Sequence, residues 1–321
     1  MRPLFSDWII KKLQRKYFAV HGGVPNSMEP LCESRCQVLE DGVVLHNEVR
    51  FSEKYPNSFA DIYYTNQDMN TRRPTIIYLH GGGFFMGGRI GGDPMAVSSD
   101  AIGKQNCMLA KQGFNVVSMD YCLAPEFRYP NQPKQINDGL NFFREHAQQF
   151  HLDMDNIILF GGSAGAVLSA MQGVVSSNSE YATMLGIESP FPVSSIRGIC
   201  VDGAPLVMDW MNTATRMMFK TWMGKSSKNG SCGKQIELCR WVNEENPAVF
   251  LTAGNDGCFP EHVQELGKAL RNQSVYVEEY YIDPTISKQG HGYLGNYESD
   301  PCAKEGMDRI ITFMKRVTSD I

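Results

Sequence analysis

The feature that most constrains this chain of 321 residues is an alternation of short apolar runs with segments of helical periodicity, which begins at Thr75. Short apolar runs between turn residues are typical of buried strands, and apolar residues spaced every three or four positions are typical of helices. Their alternation predicts an α/β fold, a parallel sheet with helices on both faces. The predicted strands are Thr75 to Leu79, Phe114 to Met119, Ile157 to Phe160, Ile196 to Val201, Ala248 to Thr252 and Val275 to Ile282.

The segments between these strands are predicted to be helices, and three more strands are predicted before them. The earlier strands are consecutive and separated by short turns, which favours antiparallel pairing. They are Arg35 to Glu40, Val43 to Phe51 and Phe59 to Thr65. The predicted helices are Ser98 to Lys111, Gln135 to Gln149, Ala164 to Ser176, a segment around Thr213 to Met223, and Glu261 to Asn272.

Ser163 lies in a run of glycine and alanine directly after the predicted strand Ile157 to Phe160. The segment "GGSAG" matches G-x-S-x-G, in which a sharp turn from strand to helix exposes a serine hydroxyl at the carboxyl end of the strand. A plain glycine-rich turn and a phosphate-binding loop are the alternatives, but neither the P-loop pattern nor G-x-G-x-x-G is satisfied. We therefore interpret Ser163 as a candidate nucleophile.

A serine nucleophile also needs hydrogen-bond donors for the negative charge that develops on the attacked carbonyl oxygen. The sequence His-Gly-Gly-Gly begins at His80, immediately after a predicted strand. Glycines in this position, together with the residue after the serine, supply such donors in hydrolases with this elbow. We predict the donors to be the backbone N–H groups of Gly82, Gly83 and Ala164, and we expect His80 to support the turn.

The serine hydroxyl must pass its proton to a base, and two histidines follow it in the chain. His262 is predicted to lie in the first turn of a surface helix, whereas His291 lies in the glycine-flanked loop "KQGHGYLG" after the last predicted strand. A loop at the end of the sheet can bring its side chain back to the serine. We therefore predict His291 as the base.

The acid that orients the base should lie between serine and histidine in the chain and follow a strand. Asp256 meets both conditions, in a turn after the strand Ala248 to Thr252. Asp283 and Asp202 are rivals that follow other strands, and each could merely cap a turn. Asp256 is the predicted acid because the loop that carries it leaves one final strand to return the histidine to its side.

The charge and the cysteines of the chain restrict its partners and its compartment. The formal net charge is −5, which argues against a nucleic-acid surface, because such surfaces are basic. The 9 cysteines show no disulfide framework, and Cys32 and Cys36 lack a second ligand pair for zinc. We expect reduced thiols, no metal and a cytoplasmic location.

The N-terminal segment is predicted to be an amphipathic helix rather than a signal peptide, because charged residues interrupt it before an apolar region can form. Its apolar stripe is Phe5, Trp8, Ile9, Leu13 and Tyr17. We expect this stripe to cover the protein's own core or site, with a position on a membrane surface as the alternative. No stable membrane insertion is expected.

The chain at this point resembles the hormone-sensitive-lipase-like esterases of the α/β-hydrolase superfamily, from about Pro74 to the C-terminus. The motifs that carry the resemblance are His80 to Phe84, "MDYCLAPEFRYP" from Met119 to Pro130, Gly161 to Gly165, "GNDGCFP" from Gly254 to Pro260, and Gly290 to Tyr293. The resemblance implies a serine carboxylic ester hydrolase without a cofactor. It implies Ser163, Asp256 and His291 as the catalytic residues, and Gly82, Gly83 and Ala164 as the oxyanion hole.

The resemblance also implies a helical cap over a mostly parallel central sheet. The cap is expected from residues 1–34 and from an insertion at residues 206–245, and the core from residues 35–205 and 246–321. Three positions depart from the family pattern: Gly162 stands where these esterases usually have Asp, Ala166 where they usually have Gly, and Cys122 where they usually have Arg. Inactive relatives that act as receptors typically lack the histidine, so its presence favours an enzyme over a small-molecule binding protein.

The cap segment from Asp209 to Gly224 is rich in methionine and aromatic residues, which suit either core packing or an acyl pocket. We expect Phe84, Met218 and Trp222 to contact the substrate. Short acyl esters, acetyl above all, are the preferred substrates, and the alternative is deacetylation of acetylated sugars or xylo-oligosaccharides by the same triad. Monomer and homodimer both remain open.

Overall fold

The computed structural model describes residues 5–21, 23–90, 101–224 and 231–319, and these residues form one sheet with helices on both faces. The strands are β1 Cys36–Val38, β2 Val44–Arg50, β3 Phe59–Tyr64, β4 Pro74–Leu79, β5 Asn115–Met119, β6 Asp153–Gly162, β7 Ile196–Asp202, β8 Ala248–Ala253 and β9 Val277–Tyr281. The helices are α1 Phe5–His21, α2 Ala101–Lys111, α3 Asn131–Glu145, α4 Ala164–Ser177, α5 Ser179–Leu185, α6 Thr213–Met223, α7 Ser231–Ile236, α8 Pro260–Asn272 and α9 Pro301–Thr318.

The strands lie in the order β1-β2-β3-β5-β4-β6-β7-β8-β9. The pairs that join β1, β2, β3 and β5 are antiparallel, and all pairs from β5 through β4 to β9 are parallel. This confirms the predicted mostly parallel sheet with an antiparallel start. The first three residues of the predicted helix Ser98 to Lys111 lie outside the described residues, and α5, α7 and α9 were not predicted.

Alternate side chains of the central strands pack into two separate cores, as the pleat of a strand requires. On β4, Ile77 and Leu79 join the core under α3, α4 and α8, while Ile76 and Tyr78 join the core under α2 and α9. Both faces of these strands are buried, which explains why they read as continuous apolar runs. The two cores fix the positions of the strand ends.

The carboxyl ends of β4 and β6 form the crevice where a ligand of an open α/β sheet binds. The chain runs from β4 to β5 on one side and then to β6 on the other side of β4. Such a reversal of strand order leaves a gap between the loops at the strand ends, and ligands bind there. The loop that begins at His80 and the turn at Ser163 both lie at this reversal.

The N-terminal helix α1 faces the protein with different residues than the sequence pattern predicts. Phe5 and Trp8, which belong to the predicted covering stripe, are 80% and 60% exposed. The inward residues are Asp7, Ile10 and Gln14, all buried. Asp7 pairs with Arg128 at 2.7 Å, and Gln14 donates to the carbonyl oxygen of Phe85 at 2.8 Å. Polar contacts therefore fix the orientation of α1, and this orientation differs from the one that the apolar pattern predicts.

Among the residues that the structure describes, no helix combines the length and the apolar character needed to cross a bilayer.

Candidate active site

Ser163 occupies a strained turn between β6 and α4. Its backbone angles are φ 55° and ψ −118°, a conformation that residues other than glycine rarely adopt. The glycines of the motif make the turn possible: a Cβ on Gly165 would lie 2.7 Å from the carbonyl oxygen of His80, and one on Gly161 would lie 2.8 Å from the backbone nitrogen of Ala166. The G-x-S-x-G pattern is therefore a requirement of close backbone approach.

The turn is also tied to the neighbouring strand. Ser163 donates its backbone N–H to the carbonyl oxygen of Asp202 at 2.8 Å, and Gly162 is the register partner of Asp202 between β6 and β7. A Cβ on Gly162 would have the carboxylate oxygen Oδ2 of Asp202 as its nearest neighbour, at 3.8 Å. The carboxylate of Asp202 thus lies close to the end of β6, directly before the candidate nucleophile.

The predicted oxyanion loop follows β4 with the geometry that its glycines allow. Gly82 and Gly83 have φ of +99° and +62°, and a Cβ on Gly82 would lie 3.1 Å from the backbone nitrogen of Gly87. The carbonyl oxygen of Gly82 accepts from the N–H of Met86 at 3.0 Å, which closes the turn. Ala164 is buried at the first position of α4.

His80 supports this loop from behind. It is 1% exposed, its Nδ1 donates to the carbonyl oxygen of Gly81 at 2.8 Å, and its ring stacks on Tyr121 with a centroid distance of 4.1 Å. The Tyr121 hydroxyl in turn donates to the carbonyl oxygen of His80 at 2.7 Å. These contacts fit the supporting role predicted for His80.

Ser163 and His291 line the same cavity, at the carboxyl ends of β4, β6 and β7. The cavity has a volume of about 60 Å³, and Gly81, Asp202 and Tyr78 are among its other lining residues. Catalytic hydrogen bonds are often long before substrate binds, so shared placement is the relevant geometry.

Two neighbours hold the His291 ring. The ring of Phe259 meets it edge to face at a centroid distance of 5.5 Å. Gly203, directly after β7, lies on another side of the ring: a Cβ there would be 3.3 Å from both Cε1 and Nδ1 of His291, and Gly203 has a φ of +63°. A side chain at position 203 would therefore press on the imidazole.

His262, the other histidine after the serine, is a buried packing residue and not the surface residue that the sequence pattern predicts. It is 1% exposed, and its Nδ1 accepts from the backbone N–H groups of Leu206 at 3.1 Å and Val207 at 3.0 Å. Burial lowers the pKa of this imidazole. The ring must remain neutral to accept these two N–H groups, and the two hydrogen bonds hold the segment that follows β7 in place.

Asp256 lies in an exposed turn, and it is not among the residues that line the cavity. Its loop is nevertheless fastened to the loop of His291, because the backbone N–H groups of Asn255 and Asp256 donate to the carbonyl oxygen of Gln289 at 2.9 Å and 3.0 Å. Gly254 permits this approach, since a Cβ there would lie 2.6 Å from the same oxygen. The structure thus brings the two loops together, while Asp256 itself is exposed to solvent.

The three predicted substrate contacts occupy two environments. Phe84 and Trp222 are 1% and 0% exposed and stack on each other, whereas Met218 is partly exposed. The sulfur of Met218 lies 2.9 Å from the position that a Cβ on Gly83 would take. Met218 and Trp222 thus both contact the oxyanion loop from α6, Met218 near Gly83 and Trp222 at Phe84.

A buried charge cluster, which the sequence patterns did not indicate, fixes the far end of the oxyanion loop. Arg89 is 2% exposed and pairs with Asp61 at 2.9 Å and also with Glu48 and Asp120. The partners lie on three separate elements, so no local spacing reveals them. The cluster anchors the loop to β2 and β3 and to the end of β5.

The described residues contain no group of three or more His, Cys, Asp or Glu side chains able to hold a metal ion. The eight cysteines whose side chains are described carry free thiols. Burial raises the pKa of the Cys122 thiol to about 12 and that of Cys258 to about 11. Neither thiol is ionised near neutral pH, so neither competes with Ser163 as a nucleophile.

Residues 60–270, well over half of the chain, match the family model BD-FAE. Esterase LipC of Mycobacterium tuberculosis is 27% identical over 290 residues, which are 86% of this chain and 66% of that relative. An acetyl esterase of Salmonella paratyphi B is 33% identical over 118 residues, 36% of this chain and 33% of the relative. The chain thus spans less than two thirds of the length of either relative.

A solved structure has the same fold. The crystal structure of esterase B from Lactobacillus rhamnosis superimposes with a TM-score of 0.73 at 18% identity and covers 98% of this chain and 94% of its own. At this identity the likeness concerns the arrangement of the strands and helices. Together with the family match, it establishes that the chain belongs to the BD-FAE family and has the α/β-hydrolase fold.

Proposed function

We propose that this protein is a serine carboxylic ester hydrolase that acts on short-chain, acetyl-like esters through an acyl-enzyme. The observation that carries the proposal is the placement of Ser163, in a strained elbow, in one cavity with His291 at the strand-order reversal. The names of the relatives, an esterase and an acetyl esterase, support the same reaction.

In the proposed mechanism Ser163 attacks the ester carbonyl carbon while His291 accepts the hydroxyl proton. The oxyanion forms against the N–H groups of Gly82, Gly83 and Ala164, each worth roughly 2.7–4 kcal/mol of transition-state stabilisation. His291 then returns the proton to the leaving alcohol, and water repeats the sequence on the acyl-enzyme. Asp256 is the acid that chain order assigns to the imidazole.

Two features support a short acyl group. The cavity of about 60 Å³ at the nucleophile is far smaller than the roughly 300–1,000 Å³ pockets that hold drug-sized ligands. Phe84 and Trp222 are buried and stack on each other at the oxyanion loop, where a long acyl chain would need open space. Of the three predicted substrate contacts, Met218 is proposed to touch the bound ester, and Phe84 and Trp222 to hold the loop.

A chain-length series of nitrophenyl esters tests the proposal. We expect kcat/KM to be highest for acetate or butanoate, to fall for longer acyl chains, and to vanish in Ser163→Ala. An unchanged turnover in Ser163→Ala would refute the nucleophile, and a maximum at a long acyl chain would refute the substrate class. Acetate release from acetylated xylo-oligosaccharides at rates above the nitrophenyl ester would instead identify a sugar deacetylase.

A further inference from the structure

A second carboxylate, that of Asp202, lies at the candidate site. Asp202 ends β7, is 6% exposed, and lines the same cavity as Ser163 and His291. The acid predicted from chain order, Asp256, is exposed and lies outside that lining. Of these two carboxylates, the buried one therefore shares the cavity with the nucleophile and the base.

The backbone contacts of Asp202 do not explain why its side chain is acidic. Its carbonyl oxygen accepts from Ser163, and any residue could provide that oxygen. A carboxylate that is largely removed from water is costly unless charge or hydrogen bonds compensate for it. The burial of this carboxylate in the lining of the site points to a role for its charge there.

The neighbouring positions leave room for this carboxylate and for the imidazole. Gly162, where the resembling esterases usually have Asp, places no side chain against Oδ2 of Asp202, and Gly203 places none against Cε1 and Nδ1 of His291. An aspartate at position 162 would bring a second negative charge to the same spot. In this chain the carboxylate stands on β7, one strand across from the position that the family pattern gives it.

The influence of Asp202 extends to other groups around the histidine. Burial first, and then the charge of Asp202, raises the pKa of the Tyr293 phenol. Burial also raises the pKa of the Cys258 thiol; its hydrogen bond to the backbone of Asp256 lowers that pKa, and the charges of Asp202 and Asp256 add to the rise. The titratable groups around His291 include Asp202 at the end of β7, Tyr78 on β4, Asp256 and Cys258 after β8, and Tyr293 in its own loop. Of the two carboxylates in this set, Asp202 is the one that solvent screens least.

We propose that Asp202 is a positioning residue for His291, and that its carboxylate stabilises the imidazolium which forms when Ser163 attacks an ester. The proposal rests on the proposed function. Chain order assigns the negative charge beside the imidazole to Asp256, whereas this proposal assigns it to the buried carboxylate of Asp202 at the end of β7. No bond to Asp202 forms or breaks, and the proton stays on the imidazole until the leaving alcohol takes it.

The test measures the pH dependence of kcat and kcat/KM for the wild type and for Asp202→Asn, with nitrophenyl acetate as substrate. A nearby negative charge favours imidazolium, so its removal lowers the pKa of the base. We expect the acidic limb of the profile to move to lower pH, and kcat on the plateau to fall on the order of 10²-fold or more with KM little changed. Asp202→Glu, which keeps the charge, should keep the limb in place.

Asp283→Asn is the matched control, because Asp283 is an exposed rival carboxylate that caps its own turn. It should leave both the limb and the plateau unchanged. If Asp202→Asn does not fold, which urea unfolding will reveal, Asp202→Ser serves in its place. The proposal would be overturned by a folded variant without the carboxylate at position 202 whose pH profile has the same acidic limb, and the same kcat on the plateau, as the wild type. If the folded wild type does not hydrolyse nitrophenyl acetate at all, the proposed function itself is refuted.

Discussion

The indole of Trp222 lies parallel to the ring of Phe84 at a centroid distance of 3.7 Å and an interplanar angle of 5°. This stack joins α6 directly to the loop that is proposed to hold the oxyanion. Phe84 has a φ of 68°, a conformation that bulky side chains rarely adopt, so tertiary contacts have to hold it. Helix α6 and this loop therefore form one packed unit.

Shortening Trp222 should loosen this unit in two steps. Trp222→Phe keeps an aromatic ring but removes the Nε1–H that donates to Oε1 of the buried Gln132 at 2.8 Å, and we expect a loss of about 1–3 kcal/mol in unfolding free energy. Trp222→Ala also opens a cavity and should cost about 3–5 kcal/mol. Urea unfolding measures both losses. Equal losses in the two variants would contradict the packing role described for the Trp222 ring.

A methyl group at Gly165 should destabilise the elbow. Gly to Ala inside a helix ordinarily stabilises by roughly 0.5–1 kcal/mol, but here the Cβ would collide with the carbonyl oxygens of Leu79 and His80. We expect Gly165→Ala to lose about 1–3 kcal/mol and most ester hydrolysis. Gly162→Ala is the matched control, since its nearest neighbour lies at 3.8 Å, and thermal unfolding should separate the two. Equal unfolding temperatures would contradict the close backbone approach.

Removing the Arg89 guanidinium should leave three carboxylates facing one another in the interior. We expect Arg89→Met to cost about 3–5 kcal/mol near pH 7, whereas Arg50→Met at an exposed pair should cost less than about 1 kcal/mol. Burial raises the pKa of the Glu48 and Asp61 carboxyl groups, so protonation favours the folded state. Chemical unfolding should therefore show a smaller cost at acidic pH. A cost that grows as the pH falls would count against the cluster as described.

His262 should make stability depend on pH. Burial lowers the pKa of its imidazole, so the unfolded chain binds the proton more tightly than the folded one. The unfolding free energy should be highest above the ordinary histidine pKa of about 6.5 and should fall as the pH drops below it. In His262→Asn this part of the fall should disappear, as seen in the difference between urea curves of variant and wild type. Parallel pH curves for the two proteins would show that His262 is not held neutral.

Much of the fold follows from local patterns, because strand and helix periodicity need no knowledge of distant residues. The segments at β4, β6 and β7 and the turn at Ser163 were predictable for this reason. Which face of α1 turns inward was not, because the ion pair of Asp7 with Arg128 joins residues far apart in the chain. The burial of His262 likewise depends on Leu206 and Val207, which no spacing near position 262 reveals.

In the candidate site, too, some residues could be predicted from local sequence and others only from the fold. Chain order and turn chemistry lead to Ser163 and His291, and the structure brings both to one cavity. The acid is less determined, because several aspartates follow strands and only the fold decides which carboxylate is buried beside the base. Asp202 was one of three candidates in the sequence, and its burial distinguishes it.

The account depends on Ser163 as an activated nucleophile, and labelling with a fluorophosphonate tests this most directly. We predict that the wild type takes up one label, that peptide mass analysis places it on Ser163, and that His291→Gln slows labelling strongly while both proteins remain folded. Absence of labelling in a folded wild type, or equal labelling of Ser163→Ala, would contradict the central claim.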